Sequence, residues 1–257
     1  MGKYFADIHE GPDSQMGNKP ETVKDTEEII AIKRNLESLV DPNERYDAIL
    51  SLSKALIFQL RYKSALKFLD QAVDLLPSRP EALRMRAIRR LYTLDTKGSL
   101  EDFFKLRAMD YEDVSYQIGL GYFFSAQYEK SMKEMEICYD LANKEMKIAA
   151  MYWQAIAARR CGGKATLLEK FTDDYDCGHH TSYKAGCSLL VGHTTVEELK
   201  NLADKEESDL EYAMLSYPLH EVGVKPLEDI VKRDSFWIGF AYVAAWNDLH
   251  YEGRGRS

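Results

Sequence analysis

The chain has 257 residues, enough for one or two globular domains, and its hydrophobic (45%) and charged (30%) fractions are ordinary for a folded protein. Its formal net charge of -8 argues against nucleic acid as a partner, because phosphate binding needs a basic surface. No apolar run reaches the roughly 18 residues that span a bilayer, and no signal-peptide pattern is present. We therefore expect a cytoplasmic protein without a membrane partner.

The N-terminal part of the sequence predicts a leader followed by one helix. Residues 1–22 are rich in Gly, Pro, Asp and Asn, a composition typical of a flexible segment. Within 23–44, apolar residues recur at helical spacing before a break at Pro42: Ile29, Ile32, Leu36 and Leu39. We expect this helix to cap the open end of the helices that follow.

Two pairs of amphipathic helices come next. The first pair is predicted over 45–59 and 62–76, and Pro77 ends its second helix. One stripe of the second helix is small or apolar: Ala65, Leu69, Ala72 and Leu76. The next pair is less regular, with these residues lining its two helices: Leu83, Ala87 and Leu91, then Ser99, Phe103 and Leu106.

A third pair, over 112–143, repeats the pattern of the first. In both pairs an aromatic residue precedes a small residue by three positions, as in Tyr62 with Ala65 and Tyr128 with Ser131. Gly119 falls inside a predicted helix, where the absence of a side chain favours close helix packing. A fourth pair begins near Lys147, has a first helix ending at 161–163, and has a short second helix that reaches Phe171.

This sparse pattern resembles that of the tetratricopeptide repeat (TPR) family, most clearly at 46–79 and 112–143. The matching positions in these two stretches are Leu52, Ala65, Ala72 and Pro77, then Gly119, Tyr122, Tyr128 and Ser131. A helical period of about 34 residues indicates an α-solenoid. The resemblance implies an all-α fold: a right-handed α-solenoid of TPR-like helix-turn-helix hairpins over 45–171, with capping helices at both ends.

Beyond Phe171 the pattern decays, and spacing alone predicts degenerate helical hairpins and a terminal helix over 172–251. Helices are expected near 180–191, 195–204, 207–217 and 225–233, with a capping box at 195–198. Pro218 is expected to end or kink one helix, and Pro226 to stand in the first turn of another. Ser235 is expected to cap the last helix, which carries Phe236, and residues 252–257 to form a flexible tail.

One cluster of reactive side chains, over 177–193, offers candidate zinc ligands: Cys177, His179, His180, Cys187 and His193. The paired spacing that lets two ligands share one ion is missing, so we favour packing and loop roles and predict no metal and no other cofactor. No local motif of a nucleophilic, metalloprotease or phosphate-binding enzyme is present. We therefore predict no catalytic residues, and a metal-binding or hydrolytic site here is the weaker alternative.

The function implied by the resemblance is a non-catalytic scaffold that binds a peptide or partner protein on its concave face. In the TPR family the first helix of each repeat lines that face, which here selects Lys54, Phe58, Arg84, Tyr92, Tyr116, Phe123, Phe124, Tyr152, Trp153, Arg159 and Arg160. Such aromatic and arginine side chains dominate binding hot spots and suit a segment with apolar and acidic side chains. Packing against neighbouring helices is the alternative for each aromatic residue.

Two further points concern the partner. Chaperone-binding members of the family use a clamp of Lys, Asn and Arg, but Leu50 and Met85 occupy two of those positions here. This departure argues against a chaperone C-terminus as the ligand. A homodimer formed through the last helix, by Trp237, Phe240 and Trp246, is the alternative to an unlike partner.

Overall fold

The computed structural model describes residues 24–233 and 239–251, and all regular structure within these ranges is helical. Thirteen α-helices and one 3₁₀ helix, Thr166–Lys170, are present in the described residues. The α-helices are α1 (Glu27–Ser38), α2 (Pro42–Phe58), α3 (Tyr62–Leu75), α4 (Pro80–Tyr92), α5 (Thr96–Ala108), α6 (Ser115–Phe124), α7 (Tyr128–Leu141), α8 (Lys144–Cys161), α9 (Thr181–Val191), α10 (Val196–Asp204), α11 (Asp209–Glu221), α12 (Leu227–Val231) and α13 (Phe240–Tyr251).

The chain divides into two compact units. Unit 1, Met1–Glu112, contains α1–α5, and unit 2, Asp113–Ser257, contains α6–α13. The predicted leader over 1–22, the tail over 252–257, and the roles of Ser235, Phe236 and Trp237 lie outside the described residues. None of the described helices combines the length and the apolar character that crossing a bilayer requires.

Local capping explains where the helices of unit 1 begin. The Thr26 side chain accepts the N–H of Ile29 at 3.3 Å, and Asp41 accepts the N–H of Glu44 at 3.0 Å. Pro42, predicted as a break, is the first residue of α2, where its fixed φ suits a helix and its missing N–H has no cost.

The core of unit 1 is formed by α1 and by the hairpins α2–α3 and α4–α5. The small residues Ala65 and Ala72 are fully buried, which lets α3 approach its neighbours closely. The Tyr46 hydroxyl accepts the N–H of Ala82 at 3.0 Å and so joins α2 to the first turn of α4. Within the second hairpin, the buried Arg86 guanidinium donates to both oxygens of Asp102 at 2.8 Å.

Two helix boundaries in unit 2 follow the sequence signals directly. The chain leaves α8 through Gly162, whose φ of 70° is a left-handed conformation that glycine adopts without strain. The capping box at the start of α10 is present, with Thr195 and Glu198 each bonding the other's backbone N–H. These two predictions are confirmed.

Two helix ends in unit 2 differ from the proline predictions, since Pro218 does not end its helix and Pro226 is not in a first turn. Helix α11 continues through Pro218 to Glu221, because the carbonyl of Met214, which Pro218 cannot satisfy, accepts the Tyr152 hydroxyl at 2.9 Å. Pro226 stands one position before α12, with extended backbone, instead of in its first turn.

Two buried glycines mark close helix contacts in unit 2. A Cβ at Gly119, in α6, would lie 2.7 Å from the terminal methyl of Met135. A Cβ at Gly186, in α9, would lie 2.6 Å from ring atom Cε2 of Tyr152 and 3.1 Å from Pro218. A methionine methyl can turn aside, whereas a tyrosine ring held among other rings cannot.

We predict that Gly186→Ala lowers the free energy of unfolding by about 1–2 kcal/mol more than Gly119→Ala does. The gain in helix propensity, about 1 kcal/mol, is common to both variants and cancels in the comparison. Urea unfolding followed by tryptophan fluorescence measures the difference, since all three tryptophans belong to unit 2. Equal stability of the two variants would contradict the tight contact at Gly186.

Candidate partner-binding surface

The predicted groove aromatics of unit 2 lie in its interior. Tyr152 and Trp153 on α8 are fully buried, and the Phe123 ring centroid is 5.1 Å from that of Trp153. The two remaining aromatics, Tyr116 and Phe124, are also buried. Their predicted role in partner binding is untested, but none of these rings is exposed on the described unit.

The polar atoms of these rings find hydrogen-bond partners within unit 2. The Trp153 indole N–H donates to the Tyr116 hydroxyl at 3.1 Å, and that hydroxyl lies 3.1 Å from the Tyr183 hydroxyl on α9. Burial raises the pKa of Tyr116 well above its ordinary value. Phe240 on α13 contacts the Tyr116 ring edge-on, with centroids 6.2 Å apart. The face of α6 and α8 that a TPR-like groove would use is therefore covered within unit 2.

Arg160 on α8 is held in a buried network of ion pairs and hydrogen bonds. Its guanidinium pairs with Glu221 and donates to Asp248 at 2.9 Å and to the Tyr217 hydroxyl at 2.8 Å. Burial disfavours its charge, but Tyr217 and the two carboxylates outweigh burial and raise the pKa of Arg160. The neighbouring Arg159 is exposed and donates to the backbone carbonyl of Glu221 at 3.1 Å.

The four predicted groove residues of unit 1 differ in their exposure to solvent. Tyr92 is buried against the Tyr62 ring, with centroids 5.9 Å apart. Arg84 is partly exposed and pairs with Glu112. Lys54 is exposed, and Phe58 leaves 91% of its surface open to solvent. Lys54 and Phe58 are thus the most accessible of these four residues.

Lys54 and Phe58 belong to one face of α2. The exposed residues Asp47, Ser51, Lys54 and Phe58 follow one another at spacings of three or four, which places them along one side of a helix. We call these four residues the α2 stripe. At its first end, Asp47 pairs with Arg79 at 3.1 Å. Lys54 makes no ion pair within the described residues, so the other end offers an uncompensated cation beside an exposed ring.

Unit 1 also contains an apolar cleft of about 440 Å³ that the sequence did not reveal. It lies between α3, α4 and α5 and is lined by Val73, Pro77, Leu83, Lys105, Ala108 and Met109. These residues come from separate helices, and Leu83 alone among them belongs to an apolar stripe that helical spacing predicts. Met109, just after α5, is exposed.

The cysteines and histidines of 177–193 do not gather into one site. Cys177 and Cys187 are buried, and burial raises the pKa of the Cys187 thiol, which leaves little nucleophilic thiolate. His193 pairs instead with Asp173 at 2.9 Å. His179 and His180 lie next to Glu145 of α8, and these three are the described side chains placed to share a metal ion.

The homodimer alternative rested on three aromatic residues of the last helix. Trp246 is fully buried in unit 2 and stacks on His250, with ring centroids 3.9 Å apart. Phe240 packs on Tyr116 and Phe124 of the same unit. Trp237 lies outside the described residues. Self-association stays a prediction, without an exposed ring at the two described positions to support it.

No family model matches the chain, and searches of curated proteins and of solved structures return no significant match. The all-α architecture is consistent with a helical-repeat fold. The arguments for a function therefore come from the chain's own surfaces and side chains.

We predict that Arg160→Ala lowers the free energy of unfolding of unit 2 by about 3–5 kcal/mol, because it leaves buried carboxylates without their counter-charge. Arg159→Ala, one residue earlier and exposed, is the control and should change it by less than about 0.5 kcal/mol. Denaturant titration with fluorescence detection compares the two. Similar losses in both variants would mean that the network contributes little.

Proposed function

We propose that this protein is a non-catalytic interaction scaffold whose TPR-like hairpins stack as a right-handed α-solenoid, and that it binds a peptide or partner protein through the α2 stripe. The observation that carries the proposal is Phe58, a large aromatic side chain that is 91% exposed on a well-formed helix. A single exposed apolar residue is common on protein surfaces. Here it lies one helical turn from a lysine that makes no ion pair within the described residues, so this face of α2 offers an apolar ring beside a cation.

The chemistry of the stripe defines the class of partner. Burying the Phe58 side chain against a partner would contribute about 1.5–3 kcal/mol through the hydrophobic effect. Lys54 favours a carboxylate next to the apolar side chain that meets Phe58. We therefore expect a segment that carries an apolar residue adjacent to Asp or Glu. Leu50 is buried at a position of the family's carboxylate clamp, which argues against a free C-terminus as the ligand.

Site-specific photo-crosslinking tests the proposal directly. Phe58 and, as a matched control, Phe104 on α5 are each replaced by benzoylphenylalanine, a photoreactive residue of similar shape. Both positions are exposed, Phe104 at 41%. After irradiation in cells of the source organism, we expect defined cross-linked species from position 58 and at most background from position 104. Cross-links confined to position 104 would move the binding site away from the α2 stripe.

Charge and ring substitutions give the energetic test once a cross-linked partner is identified. We predict that the double variant Lys54→Glu, Phe58→Ala binds that partner at least about tenfold more weakly, with unchanged thermal stability, because both residues are exposed. The control is Phe104→Ala, Lys105→Glu, which alters the same residue types next to the apolar cleft. An equal loss of affinity in the two double variants would refute the assignment to the α2 stripe.

A further inference from the structure

Three potential metal ligands meet where the loop before α9 contacts the start of α8. Glu145 lies in the first turn of α8, and His179 and His180 immediately precede α9. Ligand atoms of all three side chains lie within 4.8 Å of one another. Nδ1 of His179 and Oε2 of Glu145 are 3.4 Å apart. The three residues belong to unit 2 and are separate from the α2 stripe.

These separations are close to those that a small metal ion imposes. A tetrahedral ion with bonds of about 2.1 Å holds its ligand atoms about 3.4 Å from one another. The His179–Glu145 distance meets this value, and the ligand atom of His180 lies within 4.8 Å of the other two. The two imidazole rings are close, with centroids 4.4 Å apart and planes tilted by 32°.

The surroundings of the cluster are shaped to hold these side chains. Gly178 has a φ of 54°, and a Cβ there would lie 1.9 Å from Oε1 of Glu145, so only glycine lets the carboxylate lie against this loop. Nδ1 of His180 is buried and has no hydrogen-bond partner within the described residues. Oε2 of Glu211 is also buried without such a partner, and its carboxylate acts on His180 electrostatically. A buried polar atom without a partner is costly unless something else satisfies it.

We propose that Glu145, His179 and His180 bind a divalent transition-metal ion, with Zn²⁺ as the best match. Two imidazole nitrogens and one carboxylate oxygen suit zinc and disfavour calcium and magnesium, which take oxygen ligands. Three protein ligands leave at least one coordination position open. The His179 side chain is 77% exposed, so water or a ligand atom from another molecule can reach the site.

The test is zinc binding to the full-length chain, prepared without a polyhistidine tag and stripped of metal. Isothermal titration with ZnCl₂ should show about one equivalent bound per chain. Glu145→Gln and His179→Ala, both at partly or largely exposed side chains, should each weaken binding at least about tenfold and leave the melting temperature of the metal-free protein unchanged. If His180→Ala fails to fold, these two variants still decide the outcome.

Two further variants separate a built site from incidental binding. His193→Ala removes a histidine that pairs with Asp173 elsewhere and should leave the zinc affinity unchanged. Gly178→Ala keeps every ligand but displaces the Glu145 carboxylate, and should weaken zinc binding about tenfold. Binding of less than half an equivalent, or an equal loss in His193→Ala and His179→Ala, would overturn the proposal. Neither result bears on partner binding by unit 1.

Discussion

The burial of one aromatic face of α8 is the constraint on which unit 2 depends. Tyr152 and Trp153 present large rings on this face, and leaving them in water would forgo several kcal/mol of hydrophobic stabilisation. Their polar atoms also need partners, and Tyr116 and the backbone of Met214 supply them. The helices that follow α8 must therefore both cover these rings and supply hydrogen-bond partners, as the Met214 carbonyl does for Tyr152.

The same burial determines how the positive charge of Arg160 is stabilised in unit 2. Arg160 lies at the end of this face, where water cannot solvate it, so two carboxylates and a tyrosine hydroxyl surround it. An arginine whose charge is paired inside its own unit is not available to pair with a carboxylate of a partner. Arg160 and the buried aromatic side chains thus serve packing in unit 2. At the surface of unit 1, Phe58 is exposed and Lys54 makes no ion pair within the described residues, and this contrast directs the proposed binding site to the α2 stripe.

Much of the helical framework could be predicted because helix boundaries are local. Asp41 and Thr195 begin helices by accepting backbone N–H groups three residues further on, and Gly162 ends one by adopting a left-handed conformation. Pro218 shows the limit of such reasoning. Its missing N–H should break α11, but the orphaned carbonyl is satisfied by a tyrosine from α8, which is distant in sequence. The burial of the aromatic groove residues in unit 2 could not be predicted for a related reason, since amphipathic spacing identifies an apolar face but not what covers it.

By itself, the sequence determined the helical class, most helix boundaries, and the small residues at close helix contacts, because spacing and capping act within one or two turns of chain. Only the tertiary structure decided which aromatic faces are buried, that Phe58 is exposed, and which acid meets the paired histidines. Glu145 and His179 come together because α8 and the loop before α9 pack against each other, with Gly178 allowing the approach. Such contacts form between side chains that are far apart in sequence and pack in a shared interior, so a local sequence pattern cannot predict them.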